Sequence, residues 1–200
     1  NLTGYLIYLD PTNCPVISVL IKTQLISYVH HTNTLLNYIH QIEGVTMIFN
    51  QLFDDKSSTY TYIISSGKGR EALIIDPVIE HTKKYIKILK DLELKLVKVI
   101  DTHIHADHIS GLNELNKQTE CTRIMGENSK SEVIDLKIKD NEKINIENIE
   151  LKAMYTPGHT DCSYSYLMKD RVFTGDTLLI NGTGRTDFQN GSSYDAYDSL

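Results

Sequence analysis

The pattern of apolar and polar positions predicts short strands in the middle of the chain. Residues 59–64 alternate between the two classes, and Tyr60 and Tyr62 share the apolar side. Residues 72–75 form a short apolar run that ends just before Pro77. Both segments are predicted strands, and the two tyrosines are predicted to face the core rather than to form a stacking surface.

One segment has the spacing of an amphipathic helix. Between His81 and Leu94, apolar side chains recur every three to four residues, and lysines occupy the opposite side. The next apolar segment, residues 96–100, predicts a strand that leads directly into Asp101–Thr102–His103. Because α/β proteins bind ligands beyond the carboxyl ends of their strands, the histidines after this strand are candidates for a functional site.

A change of parity predicts a hairpin further along the chain. Ile144 and Ile146 share one parity, whereas Ile149 and Leu151 share the other. A strand has a side-chain period of two, so it cannot change face without a turn, and Glu147–Asn148 is predicted to be a tight bend. Further short strands are predicted at residues 154–156, 163–168 and 172–174.

The first 45 residues differ from the rest in composition. They contain no arginine, and Lys22 is their one lysine. We expect residues 1–45 to be an N-terminal extension, disordered or loosely docked, and residues 46–200 to form one domain. The apolar stretch from Pro15 to Val29 is interrupted by polar residues and falls short of the roughly 20 residues that span a bilayer, so no transmembrane helix is expected.

Charge and cysteine content narrow the classes of function. Twenty basic and 26 acidic side chains give a net charge of −6, which disfavours nucleic acid and anionic membranes as partners. The three cysteines, Cys14, Cys121 and Cys162, are far apart and lack CxxC spacing, so neither a disulfide framework nor a thiolate zinc site is predicted. We expect Cys162 to be a buried thiol and the protein not to be secreted.

Three loops carry the chemistry. The sequence HIHADH at residues 103–108 places three imidazoles and a carboxylate in one strand-to-helix loop, where they can converge on a metal ion. The sequences TPGHT and FTGD add His159 and Asp176, each beyond a predicted strand. Nitrogen and oxygen donors without thiolate predict a catalytic, water-accessible metal site rather than a closed structural zinc site.

The combination of THIHADH, TPGHT and FTGD resembles the metallo-β-lactamase superfamily. More closely, the stretches MIFNQLFDDKSSTYTYIIS, EALIIDPV and GDTLLINGTGRTDFQNGSS resemble the persulfide dioxygenase family. The likeness extends from about Val45 to Leu200, and its most specific element is the phrase Gly184–Gln189. It implies an α/β fold, the αββα sandwich of mixed sheets with outer helices. The family continues for some tens of residues past a segment like Tyr194–Leu200, so we expect the C-terminal part of the fold to be missing here.

The resemblance also implies a ligand set. It suggests one Fe(II) per chain held by His103, His159 and Asp176, although zinc and manganese accept the same donors. The other three polar residues of the His loop then either support the site or correspond to the second metal position of binuclear relatives. These three catalytic candidates are His105, Asp107 and His108.

Arg185 matches the arginine with which the family contacts its substrate. The resemblance therefore implies that its guanidinium pairs with a carboxylate of glutathione. The alternative, a structural arginine paired with Asp187 or with a nearby backbone carbonyl, stays open.

The implied reaction is oxidation of glutathione persulfide by O2 and water to glutathione and sulfite. Its partners are small molecules, and a homodimer is compatible with the family. A mitochondrial location is implied by the family, with the cytoplasm as the alternative. Two other functions stay open: a glyoxalase II type hydroxyacylglutathione thioester hydrolase with a binuclear metal centre, and an inactive glutathione-binding remnant.

Overall fold

The computed structural model describes residues 6–8, 37–42 and 45–200, with side chains from residue 47 onward. This part of the chain contains twelve strands and three α-helices. The strands are β1 (Leu6–Tyr8), β2 (Asn37–Ile42), β3 (Val45–Asp54), β4 (Thr59–Ser65), β5 (Glu71–Ile75), β6 (Lys95–Ile100), β7 (Thr122–Gly126), β8 (Leu136–Ile138), β9 (Lys143–Ile146), β10 (Ile149–Tyr155), β11 (Tyr164–Leu167) and β12 (Arg171–Phe173). The helices are α1 (Thr82–Asp91), α2 (Leu112–Thr119) and α3 (Ser193–Ser199).

The strands form two sheets. The seven-stranded sheet runs in the order β2-β3-β4-β5-β6-β7-β8, and the five-stranded sheet in the order β1-β12-β11-β10-β9. The pairs from β5 to β8 are parallel, and the remaining pairs of both sheets are antiparallel. The predicted α/β class with mixed sheets is therefore confirmed.

Two apolar cores hold the layers together. One lies between the sheets and includes Tyr62 and Phe173, whose ring centroids are 4.9 Å apart. The other lies on the outer face of the seven-stranded sheet, where Ile74 packs with Tyr85 of α1 and Leu115 of α2. The parallel strand β5 is buried on both faces, as its nearly continuous apolar sequence requires.

Most of the local predictions are confirmed. The strands expected in residues 59–64, 72–75 and 96–100 are β4, β5 and β6. Tyr62 is buried in the core and Tyr60 packs against it, as predicted. The predicted helix ends at Asp91 rather than Leu94, because Glu93 takes a left-handed conformation with a φ of 58° that breaks the helix.

The predicted hairpin bend is present. Ile146 pairs with Ile149, and Glu147 has a φ of 46°, as a two-residue turn requires. The strand predicted at residues 154–156 is confirmed at Met154 and Tyr155, but these residues continue β10 instead of forming a separate strand, and Thr156 lies outside it. The last two predicted strands correspond to β11 and β12.

Part of the predicted N-terminal extension pairs with the sheets. β1 is antiparallel to β12, and β2 is antiparallel to β3. The boundary near residue 45 stays a prediction, and Cys14 and the stretch Pro15–Val29 lie outside the described residues. Cys121 and Cys162 are buried free thiols. No helix in the described ranges is long and apolar enough to cross a bilayer.

Candidate metal centre

Three strand ends meet at one edge of the sandwich. His103 follows β6, His159 follows β10, and Asp176 follows β12. One ligand atom of each side chain lies within 4.8 Å of the others. The imidazole rings of His103 and His159 have centroids 5.0 Å apart, and His159 Nε2 lies 3.5 Å from Asp176 Oδ2. The structure thus brings the predicted ligand set together.

A glycine lets two of these loops approach each other. Gly175 has a φ of 49°, and a Cβ at this position would lie 2.5 Å from Thr102 Oγ1 and 2.9 Å from Thr102 Cβ. Only glycine avoids both the left-handed strain and this overlap. The FTGD sequence therefore places Asp176 next to His103 because its third residue has no side chain.

Hydrogen bonds fix the orientation of His103. Thr102 Oγ1 donates its single hydrogen to Asp76 Oδ2 at 3.0 Å, and it lies 2.9 Å from His103 Nδ1. That second contact therefore requires Nδ1–H of His103 as the donor, which leaves Nε2 without a hydrogen. Burial and the neighbouring histidines hold the pKa of His103 well below its usual value, so the ring is neutral.

His159 is oriented by a backbone group. Its Nδ1 lies 2.8 Å from the carbonyl oxygen of Arg185, which can only accept, so Nδ1 carries the hydrogen and Nε2 is bare. Gly184 makes this approach possible, because a Cβ there would lie 2.7 Å from His159 Nδ1. Sequence reasoning selected Arg185 for its side chain and missed this backbone role.

The Arg185 guanidinium pairs with a neighbour in the same loop. Its Nε and Nη2 lie 2.8 Å and 3.0 Å from the two carboxylate oxygens of Asp187. Both side chains are exposed. The structure therefore shows the pairing that the alternative interpretation expected, and binding of substrate by Arg185 stays a prediction.

The three side chains fit a metal ion. His103 and His159 each present a bare Nε2, and Asp176 adds a carboxylate. Burial raises the pKa of Asp176, an effect that the nearby His159 only partly offsets. A largely buried carboxylate beside the Nε2 atoms of two imidazoles is what a divalent cation would neutralise, and two histidines with one carboxylate suit non-haem iron.

The remaining polar residues of the His loop form a second group. One ligand atom each of His105, Asp107 and His108 also lies within 4.8 Å of the others. His105 Nε2 is 3.1 Å from Asp76 Oδ1. Burial opposes protonation of His105, but the charge and hydrogen bond of Asp76 prevail and raise its pKa to about 9. Its Nε2 therefore donates to Asp76, and its Nδ1 lies on the side of Asp107, 3.8 Å from Oδ1.

Asp107 stays ionised beside this histidine. Burial disfavours its charge, but the hydrogen bond from His108 and the charge of His105 outweigh burial and lower the pKa of Asp107 to about 2. Its side chain is 35% exposed, so the carboxylate is accessible from outside. Asp107 can therefore accept hydrogen bonds at the edge of the site.

Two important positions, Asp76 and Thr59, were not singled out from the sequence. Asp76 follows β5 and accepts hydrogen bonds from the backbone and side chain of Thr102 as well as facing His105. Thr59 begins β4 and contacts Asp107 and His108. The local signal for Asp76 was its place at the end of a predicted strand, whereas nothing in the local sequence distinguishes Thr59.

Comparison with known proteins points to one superfamily. Residues 54–200 match the family described as the metallo-beta-lactamase superfamily. A mouse protein named persulfide dioxygenase ETHE1, mitochondrial, is 38% identical over 164 residues, which make up 78% of this chain and 63% of the mouse protein. The chain therefore spans less than two thirds of the length of that relative.

Solved structures and other relatives extend the comparison. The crystal structure of ETHE1 from Myxococcus xanthus has a TM-score of 0.74 and 44% identity, and the match covers 76% of this chain and 67% of that one. A probable hydroxyacylglutathione hydrolase from Schizosaccharomyces pombe is 33% identical over 147 residues, which make up 70% of this chain and 56% of the yeast protein. The similarity to the ETHE1 proteins is the stronger of the two.

Proposed function

Because this chain belongs to the metallo-β-lactamase superfamily and resembles its persulfide dioxygenases, we propose that it is a mononuclear iron dioxygenase acting on glutathione persulfide. The reaction converts glutathione persulfide, O2 and water to glutathione, sulfite and two protons. The outer sulfur gives up the four electrons that O2 accepts, so no further reductant is required. The observation that carries the proposal is the convergence of His103, His159 and Asp176.

His103, His159 and Asp176 would hold the iron. Bound Fe(II) supplies the redox chemistry that lets O2 react with sulfur, and a ligand set of two histidines and one carboxylate leaves positions for both reactants. The protein contributes rigid placement. Thr102 fixes the His103 ring and the Arg185 carbonyl fixes the His159 ring, so both bare nitrogens are set before the metal arrives.

Arg185 and the His-loop residues would handle the substrate and its protons. A glutathione carboxylate can replace Asp187 as the partner of the exposed Arg185 side chain, which keeps its charge in either state. Asp107, ionised and partly exposed, can accept hydrogen bonds from the substrate, and His108 beside it is placed to accept protons that the reaction releases. These roles belong to the proposal.

We also propose a mitochondrial location, with the cytoplasm as the alternative. The mouse, bovine and human relatives are all named as mitochondrial proteins. A homodimer stays a prediction from the family.

A thioester hydrolase is the second candidate function. The yeast relative is named a probable hydroxyacylglutathione hydrolase, and the grouping of His105, Asp107 and His108 offers a second set of donors beside the first. We put the dioxygenase first because the ETHE1 relatives are more similar to this chain than the hydroxyacylglutathione hydrolase is.

One pair of assays separates the two functions. Protein loaded with iron under argon is given glutathione persulfide and then O2, while an oxygen electrode and sulfite detection follow the reaction. We expect one O2 consumed per sulfite formed, and no cleavage of S-lactoylglutathione without O2. Anaerobic hydrolysis of the thioester, with no O2 uptake on persulfide, would replace the dioxygenase by the hydrolase. Absence of both activities in metal-loaded protein would favour the inactive glutathione-binding remnant.

A further inference from the structure

Thr59 contacts two residues of the His loop with one hydroxyl group. It is the first residue of β4 and is 5% exposed. Its Oγ1 lies 3.0 Å from Asp107 Oδ2 and 3.2 Å from His108 Nδ1. Because Thr59 belongs to the seven-stranded sheet, it ties the loop to a rigid element.

The number of available hydrogens decides the direction of these contacts. Ionised Asp107 can only accept, so the single hydroxyl hydrogen of Thr59 is donated to Asp107 Oδ2. The contact between Thr59 and His108 then needs its hydrogen from Nδ1 of the ring. His108 Nδ1 also lies 3.3 Å from Asp107 Oδ1, a second group that can only accept. Two acceptors therefore face the same ring nitrogen.

The other nitrogen of this ring has no such neighbour. His108 Nε2 is buried and has no hydrogen-bond partner within the described part of the chain. In the neutral form of this ring, the hydrogen is on Nδ1 and Nε2 carries a free lone pair. A buried polar atom without a partner is costly unless a ligand satisfies it, so a donor from bound substrate or water belongs at this position.

A longer polar chain adjoins Thr59. Ser57 Oγ lies 2.9 Å from Thr59 Oγ1 and 2.7 Å from Asp54 Oδ2, and Asp54 Oδ1 lies 2.8 Å from His81 Nε2. Ionised Asp54 can only accept, so Ser57 donates its single hydroxyl hydrogen to Asp54 Oδ2. The Ser57 oxygen therefore does not supply a hydrogen to Thr59, and Thr59 keeps its own hydrogen for Asp107.

From this arrangement we infer that Thr59 is a positioning residue that fixes the tautomer of His108, so that Nε2 can accept a hydrogen bond or a proton from the substrate side. The tautomer is a property of the protein alone. Its consequence for turnover rests on the proposed function. The chemical class that Nε2 would recognise is a neutral donor, such as a persulfide S–H or a water molecule.

Nitrogen-15 NMR of the histidine rings tests the inference directly. The full 200-residue chain is loaded with one equivalent of zinc, a closed-shell ion that leaves the spectrum sharp, and is recorded at pH 8. Loss of one ring signal in His108→Gln assigns the residue. We expect His108 to carry its hydrogen on Nδ1 in the original chain and in Thr59→Ser, and a mixture of tautomers in Thr59→Val.

Kinetics of the iron-loaded proteins provide the second measurement. We expect kcat to fall about tenfold or more in Thr59→Val, with KM and iron content unchanged, and to recover in Thr59→Ser. Thr122→Val, the same substitution at a half-buried strand position of β7, is the control and should behave like the original chain.

Three results would overturn the inference: a hydrogen on Nε2 of His108 in the original chain, an unchanged tautomer in Thr59→Val, or an unchanged kcat in that variant. The spectrum of the original chain decides the tautomer even if Thr59→Val does not fold. If iron-loaded protein consumes no O2 with persulfide, the proposed function fails, but the tautomer result still stands by itself.

Discussion

Replacing Asp76 with asparagine should reverse the direction of the hydrogen bond between Thr102 Oγ1 and His103 Nδ1. Asp76 accepts from Thr102 N at 2.7 Å, from Thr102 Oγ1 at 3.0 Å and from His105 Nε2 at 3.1 Å. In Asp76→Asn, the new amide takes the place of one acceptor oxygen and donates to the Thr102 hydroxyl. Thr102 must then donate to His103 Nδ1, which moves the ring hydrogen to Nε2, the atom that would bind the metal.

The size of the effect follows from these three contacts. The variant loses one acceptor and turns two charge-assisted bonds into neutral ones, at about 1 kcal/mol for each contact, so unfolding should become about 3 kcal/mol easier. Changing a group that orients a metal-binding imidazole typically weakens metal affinity 10- to 100-fold. We expect a loss in this range for Asp76→Asn, with little change for Asp55→Asn, which alters an exposed carboxylate.

Two measurements check the reasoning. Urea unfolding of the metal-free proteins gives the stability difference, and competition with a chelator gives the relative zinc affinity. Asp76→Asn should be less stable and bind zinc more weakly than both the original chain and the Asp55 control. Stability within 0.5 kcal/mol of the original chain, about the usual spread of a surface substitution, together with unchanged zinc affinity, would refute the account of how His103 is oriented.

Three further predictions concern other parts of the structure. Gly175→Ala should cost about 2–4 kcal/mol in urea unfolding, because it adds left-handed strain and an overlap, whereas Gly182→Ala, which meets open space, should cost less than 1 kcal/mol; equal losses would contradict this. Burial of Asp54 opposes ionisation, but hydrogen bonds from its neighbours lower its pKa from 3.8 to about 2. The ionised Asp54 carboxylate should therefore add up to about 2 kcal/mol to the free energy of unfolding, fully above pH 4 and not at all as the pH falls towards 2. Parallel curves of stability against pH for the original chain and Asp54→Asn over this range would contradict this. Arg185→Lys should raise KM for glutathione persulfide about tenfold with little change in kcat, while the exposed Arg70→Lys should not; an unchanged KM would remove Arg185 from the substrate site.

The sequence predicted the candidate metal ligands better than it predicted the residues that hold them in place. His103, His159 and Asp176 could be chosen because each lies in a short motif beyond a strand, and strand ends at one edge of a sandwich converge. Asp76 required the parallel register in which Ile75 pairs with Ile100, and this pairing is a long-range property that no local pattern contains. Thr59 could not be found for the same reason.

Some of the secondary structure could not be predicted from the sequence either. β7 and β8 were not predicted, because each contains only two large apolar residues within a polar stretch of the sequence. The sequence also failed to show that residues 154 and 155 belong to the same strand as Ile149, because a strand that is buried on alternate positions can continue through a change in polarity. The change of parity did predict the bend at Glu147–Asn148, because clear apolar positions lie in the strands on both sides of it.

The central claim is that one iron ion binds to His103, His159 and Asp176. Crystals grown and loaded with Fe(II) under argon would test it through anomalous diffraction at the iron absorption edge. The account predicts a single strong peak bonded to these three side chains, with Nε2 as the ligand atom of both histidines. A peak bonded to His105, Asp107 and His108, alone or together with the first, would contradict it.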